Sequence, residues 1–250
     1  MSHRLLLSIS LLVAPLALAE VSEEFHRSLP LVSNGEFSVS NVNGRVAVTA
    51  WDRDEVEIRA VKTAERQDDL DNLRIEIEAS YDCIVVSTHL PRRTNHDASV
   101  SYEISVPRSA EVKAKTVNGA LFVQGSGGEL FANSVNGRVE LSDVSGEVHA
   151  KTVNGSLSAS FANLPSSGEH HFSSVNGSVR VALPSSASGS FEAKTVNGRI
   201  RTDFPLQVHK ARFGPSSSMD GTLGSGGGAF ELNTVNGSIR ISNDGGIAQR

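Results

Sequence analysis

The sequence predicts an all-β protein, a single-chain parallel β-solenoid (right-handed β-helix) with about 18 residues per coil and two nine-residue half-coils in each. Three observations carry this reading. Val-Asn-Gly recurs at Val42, Val117, Val135, Val153, Val175, Val196 and Val235, and the steps after Val117 are 18, 18, 22, 21 and 39. Within the longer period lies one of nine, as in VNGRVELSD from Val135, VSGEVHAKT from Val144 and VNGSLSASF from Val153. Each nonad has an apolar residue first, Gly third, and apolar residues fifth and seventh. Finally, the residues flanking Asn-Gly are unlike: Val precedes it, whereas Arg138, Ser156, Ser178 or Arg199 follows. An Asn-Gly hairpin turn needs facing flanks of similar character, because both point to one side of the sheet. The symmetry is translational, as stacked coils require.

Residues 1–19, MSHRLLLSISLLVAPLALA, read as a cleaved secretory signal. A basic start precedes an apolar run too short to span a bilayer, and Ala17-Leu18-Ala19 offers the small-x-small cleavage pattern. The mature chain is then expected to be exported, periplasmic or extracellular, with no transmembrane segment. Residues 20–32 form a lead-in, and the solenoid runs over 33–250. Residues 33–107 are its less regular N-terminal coils and 108–245 its regular repeat coils. The first nonads are SNGEFSVSN from Ser33 and VNGRVAVTA from Val42. Alternating stretches at 55–61, 73–79, 83–88 and 99–106 read as half-buried strands. Between them, Lys62 to Asn72 is a charged loop or short helix and His89 to Ala98 an exposed loop. These strands are expected to continue the solenoid between the flanking nonads. The frame resumes around Leu130, Phe191 and Phe230, and insertions beside Pro165 and Pro184 lengthen two steps. The stretch from Pro205 to Gly228 is expected to hold one degenerate coil and a Gly/Ser loop.

In this register Val at the first position and the apolar residues at the fifth and seventh, such as Val139 and Leu141, fill the core. Gly sits at corners where positive φ is tolerated. Asn118, Asn136, Asn154, Asn176 and Asn197 stack as a structural ladder. The residue before Val is Thr or Ser in six of seven copies, a second polar ladder, with Asn41 the exception. The lone cysteine, Cys83, lies in the apolar run Cys83-Ile84-Val85-Val86 and is expected to be a core residue.

The chain carries Trp51-Asp-Arg-Asp-Glu-Val56, then Tyr102-Glu-Ile-Ser-Val-Pro107, then the Val-Asn-Gly repeats. With these motifs it resembles the bacterial putative-adhesin β-strand-repeat family, a domain of unknown function, over roughly residues 33–245. The resemblance implies the fold and an adhesin-like description, and no catalytic residues or cofactor.

A net charge of −5 excludes a general binder of nucleic acid. Partners are expected among envelope proteins or glycans; the sequence leaves the oligomeric state open. The expected function is a non-catalytic structural or adhesin-like module of the cell envelope. The alternative is a carbohydrate-active β-helix enzyme, which needs carboxylates converging on a groove. The available sets, Asp52 with Asp54 and Asp68 with Asp69 and Asp71, fall at a corner and in a charged turn. Two outward constellations remain. Glu147, His149, Glu169 and His171 form a two-by-two patch of ligand types suited to a divalent transition metal. Arg138, Arg180, Arg199, Arg201 and Arg240 form a stripe on the opposite face suited to an anionic ligand.

Overall fold

The computed structural model describes residues 20–90, 98–164, 167–210 and 215–243. The leader read at residues 1–19, most of the loop at 90–98 and the C-terminal residues 244–250 lie outside them. Two facing sheets, of ten and eleven strands, enclose one continuous apolar core. Each Val-Asn-Gly forms the corner between one strand of each sheet. Seven such coils are Glu36–Asn43 with Val46–Trp51, Glu111–Asn118 with Leu121–Gln124, and Leu130–Asn136 with Val139–Val144; then Val148–Asn154 with Leu157–Phe161, Glu169–Asn176 with Val179–Leu183, Gly189–Asn197 with Ile200–Thr202, and Gly228–Asn236 with Ile239–Asn243. Successive coils pair in parallel, Leu130 with Val112 on one side and Val148 on the other. Asn136 meets Asn118 and Asn154 across offsets of 18 residues.

The spatial order of coils departs from chain order at both ends. Cys83–His89 and Ser99–Pro107 form an end coil beyond Glu36–Trp51, so residues 55–107 do not lie between the first two Val-Asn-Gly coils as expected. The coil from Glu111 instead packs directly on the coil from Glu36. At the other end Gly228–Asn236 inserts between Glu169–Asn176 and Gly189–Asn197. The described residues of 205–228 form no degenerate coil. Ser217–Leu223 turns back antiparallel on Gly189–Asn197 and Gln207–Lys210 pairs outside it, and this reversal brings the chain back to fill the vacant slot.

Antiparallel strands close both sheets at the N-terminal end of the stack and the eleven-stranded sheet at the other, where the ten-stranded sheet ends on the parallel strand Ile200–Thr202. Val21–Pro30 pairs Glu55–Ala64, which pairs Ser99–Pro107, and Arg74–Ala79 pairs Cys83–His89. The outermost strands expose Glu23, Glu24, Arg27, Arg74 and Glu78, charges that discourage edge-to-edge pairing with another molecule. The short helix Gln67–Asn72 carries Asp68, Asp69 and Asp71 and buries Leu70, with Leu73 after it, into the core.

Two of the sequence motifs gain a physical role. Trp51 Nε1 donates to the Glu55 carbonyl at 2.8 Å and closes the turn made by Asp52 to Asp54. Tyr102 is buried in the end coil and its hydroxyl lies 2.7 Å from Thr88 Oγ1. Burial pushes the Tyr102 phenol up to about 12, the Thr88 bond opposing it.

The alternation inside each coil corrects the assigned core. Leu130, Ala132 and Ser134 point inward, so Val135 must point out. Val117, Val135, Val196 and Val235 are exposed large hydrophobics, whereas Val139, Leu141 and Val144 are buried as expected. The hydroxyls take the inward places: Thr152 Oγ1 donates to the Gly137 carbonyl at 3.0 Å, Ser174 Oγ to Gly155 at 3.1 Å and Thr234 Oγ1 to Gly177 at 2.9 Å. Asn41 takes the Gly44 carbonyl for the first copy, and Thr116 Oγ1 in the adjacent coil is left without a partner. Val135→Ser is therefore expected to change unfolding free energy by no more than about 0.5 kcal/mol, against roughly 2–5 kcal/mol for Leu157→Ala. Urea denaturation of the two variants checks this contrast.

Cys83 also points outward, half-buried beside Glu36, while Ile84 takes the core position. Burial is the main reason its thiol is raised above the usual range.

Candidate functional site

Three ladders run along the stack. The first is the asparagine column, which extends through seven rungs. Asn118, Asn136, Asn154 and Asn176 each donate Nδ2 to Oδ1 of the rung before, the first to Asn43, at 2.8–2.9 Å. Asn236 then donates to Asn176 and Asn197 to Asn236, both at 2.8 Å. Asn43 ends the chain of amides by donating to the Ala98 carbonyl at 3.0 Å. Every amide dipole points one way, so each bond polarises the next. The ladder is thus consumed by its own structure.

The second lies on the outer face of the sheet that begins each coil. Glu36, Glu111, Glu129, Glu147 and Glu169 stand at one outward position of successive coils, and Lys113, Phe131, His149, His171 and Glu231 stand two residues further on. Parallel pairing in register brings like side chains together, which for carboxylates is unfavourable unless a cation intervenes. Lys113 intervenes for the first two, at 3.0 Å from Glu36 and 2.8 Å from Glu111. The next three face imidazoles. His149 Nε2 lies 3.0 Å from Glu147 and 3.7 Å from Glu129, and the ligand atoms of these three residues all lie within 4.8 Å of one another. The His149 ring is held flat between Phe131, at 4.9 Å, and His171, at 5.1 Å. His171 turns to other partners, Nδ1 lying 2.9 Å from Glu231 and Nε2 3.3 Å from Glu169. The two-by-two patch expected from the sequence is therefore divided: Glu147 and His149 gather Glu129, while Glu169 and His171 gather Glu231. Glu231 comes from the inserted last coil. The Glu231 carboxyl is held below the usual range, first by Asn233 and then by His171.

The third ladder is on the outer face of the opposite sheet, and the expected arginine stripe divides into two columns. Arg180, Arg240 and Arg201 are in register on three adjacent coils. Arg180 and Arg240 border a depression of about 570 Å³ whose polar lining mixes Ser142, Ser158 and Ser160 with the carboxylates Glu140, Asp143 and Asp203. Arg240 also reaches Asp203, 3.3 Å from each oxygen. Arg138 and Arg199 stand instead at the corner position. Arg138 lies over the Phe122 ring at 5.0 Å, with Arg45 over the same ring at 4.4 Å.

The carboxylates weighed for an enzyme are separately engaged. Asp52 accepts from Arg108 Nε at 3.0 Å, and Asp54 accepts from Ser33 Oγ at 2.7 Å. Asp68, Asp69 and Asp71 lie on the helix Gln67–Asn72, where Asp71 Oδ1 accepts from Gln67 Nε2 at 2.8 Å and Asp69 Oδ2 is buried without a hydrogen-bond partner. No helix among the described residues is long and apolar enough to cross a membrane.

Two facing, mostly parallel sheets that carry their chemistry in outward ladders define a solenoid-like all-β repeat protein. Residues 23–242 match the Toastrack DUF4097 family, and the chain belongs to it. It is similar in fold to a putative cell adhesion protein from Clostridium sporogenes ATCC 15579, with TM-score 0.51, 11% identity, and 89% of this chain and 100% of that chain covered. Weaker likenesses are to putative adhesins from Bacteroides fragilis NCTC 9343, at TM-score 0.33, 10% identity and 88% and 97% coverage, and from Parabacteroides merdae ATCC 43184, at 0.36, 9% and 88% and 96%. No curated protein matches the chain.

Proposed function

We propose that this protein is a non-catalytic, adhesin-like interaction module of the bacterial cell envelope, exported by the leader at residues 1–19 to the periplasm or beyond. Its scaffold is a β-solenoid of about 18 residues per regular coil, a period supported by the asparagine pairings. The ligand class is an anionic glycan. The observation that carries this reading is the in-register row of Arg180, Arg240 and Arg201, of which the first two border a depression holding Ser142, Ser158 and Ser160 as well as Glu140, Asp143 and Asp203. Three guanidinium groups repeat at the strand spacing of about 4.8 Å. Such a row can engage carboxylate or sulfate groups by paired hydrogen bonds, and the serines offer hydroxyl partners to sugar.

Retention on an immobilised acidic polysaccharide tests this. The net charge of −5 opposes retention by bulk charge, so any retention must come from a local patch. The protein is expected to bind at low salt and elute as sodium chloride screens the contact. Arg180→Ser combined with Arg201→Ser is expected to abolish retention. Unchanged elution of that variant would show that the arginine row is a solubilising face.

A further inference from the structure

The glutamate ladder holds a charge imbalance that the fold itself does not resolve. Five glutamates stand at one outward position on consecutive coils, and Lys113 bridges only Glu36 and Glu111. Among the described residues no lysine or arginine forms an ion pair with Glu129, Glu147 or Glu169; their partners are His149 and His171. Where the first pair has an ammonium, the next coils present nitrogen and oxygen ligands around an empty point.

We propose that Glu129, Glu147 and His149 form a binding site for a divalent transition-metal ion, with zinc the best fit. Zinc bonds of about 2.0–2.2 Å in tetrahedral geometry set neighbouring ligand atoms about 3.4 Å apart. The separations of 3.0 and 3.7 Å from His149 Nε2 to the two carboxylates bracket that value. The imidazole is already oriented, because stacking between Phe131 and His171 leaves its Nε2 edge facing the two carboxylates. The two carboxylate ligand atoms lie within 4.8 Å of one another, so ion binding draws Glu129 inward and opens the His149–Glu147 contact slightly. Two carboxylates also cancel the charge of the ion, which removes the repulsion between stacked coils. Three protein ligands leave a fourth position for water or for a donor atom from a partner, the arrangement of an open rather than a closed site. A nitrogen ligand favours zinc, cobalt or nickel over magnesium and calcium, which prefer oxygen. With side chains 42%, 35% and 26% exposed, the site is accessible and its affinity is expected to be moderate.

Calorimetric titration of the chain with zinc chloride at neutral pH, paired with cobalt(II) absorption spectra, tests the proposal. The unaltered protein is expected to take up one ion and to give visible cobalt bands of nitrogen and oxygen ligation. His149→Ala and, separately, Glu147→Gln should each weaken zinc binding roughly tenfold or more. Glu129→Gln preserves shape at an exposed position and should weaken it as well, which guards against loss of folding as the explanation. His209→Ala, a histidine on the outer antiparallel strand, should leave binding unchanged. A large excess of magnesium should not compete. Absence of saturable zinc binding by the unaltered protein, or equal affinity in His149→Ala, would overturn the site.

Discussion

Gly155→Ala is expected to destabilise the protein by about 3 kcal/mol or more, as a methyl group forced into close-packed backbone. A Cβ on Gly155 would stand 2.0 Å from the Gly137 carbonyl oxygen and 2.6 Å from its carbon. Gly137 stands in the same relation to Gly119, Gly177 to Gly155, Gly237 to Gly177 and Gly198 to Gly237. Each corner glycine thus lies against the carbonyl of the coil beside it, and the obstructing atoms are backbone. Relief would require separating the coils, which would break the Asn154 rung and the Thr152 bond together. Of the Val-Asn-Gly glycines only Gly44 has positive φ, at 110°. Close approach, and not the left-handed conformation expected from the sequence, accounts for the others. Urea denaturation followed by far-ultraviolet circular dichroism should show the loss, while Ser156→Ala next to it stays within about 0.5 kcal/mol. Equal stability of the two variants would refute the close-approach explanation.

The second large effect concerns acid. His170 is fully buried, its ring 4.3 Å from Phe230 in a stacked pair and 5.1 Å from Phe161 edge-on, and neither ring nitrogen has a hydrogen-bond partner. Desolvation pushes the imidazole down to about 4 from its ordinary 6.5, with Glu147 opposing the shift. The folded state therefore excludes a proton that the unfolded chain binds. Stability from this group is fully present above pH 6.5 and is lost progressively as pH falls from 6.5 to 4, by about 3 kcal/mol in total. His170→Phe extends the Phe191–Phe230 stack, whose rings are 4.6 Å apart, and removes two unpartnered nitrogens. It is expected to raise stability at pH 7 by about 1–3 kcal/mol and to flatten this acid limb. Thermal unfolding of both proteins at a series of pH values between 7 and 4 measures the difference. A parallel decline in the two would exclude His170 as its source.

The candidate site was legible wherever neighbours lie one period apart. Glu147 and His149 alternate outward along one strand, and Glu129 and Phe131 precede them by one coil, so their column can be written from the spacing. His171 could not be completed in that way. Its neighbour in the next coil is Glu231, 60 residues ahead, because the last coil inserts beside Glu169–Asn176. For the same reason Arg240, and not Arg201, is the immediate neighbour of Arg180. Insertion order depends on which sheet edge is open when the chain returns, and the repeat is alike on every coil.

The sequence alone determined a repeat with parallel stacking, the asparagine ladder, and the burial of the fifth and seventh positions, because identical neighbours in register must place identical groups in contact. The tertiary structure decided which face of the corner is inward. The first-position valine was expected in the core on hydrophobicity, yet alternation along Leu130, Ala132 and Ser134 buries the hydroxyl and expels Val135. A buried hydroxyl is tolerated there because the glycine carbonyl of the adjacent coil accepts its hydrogen bond, as Gly119 does for Ser134. That carbonyl comes close only because glycine lacks a side chain, and it belongs to another coil, so its contribution appears only when the coils are stacked.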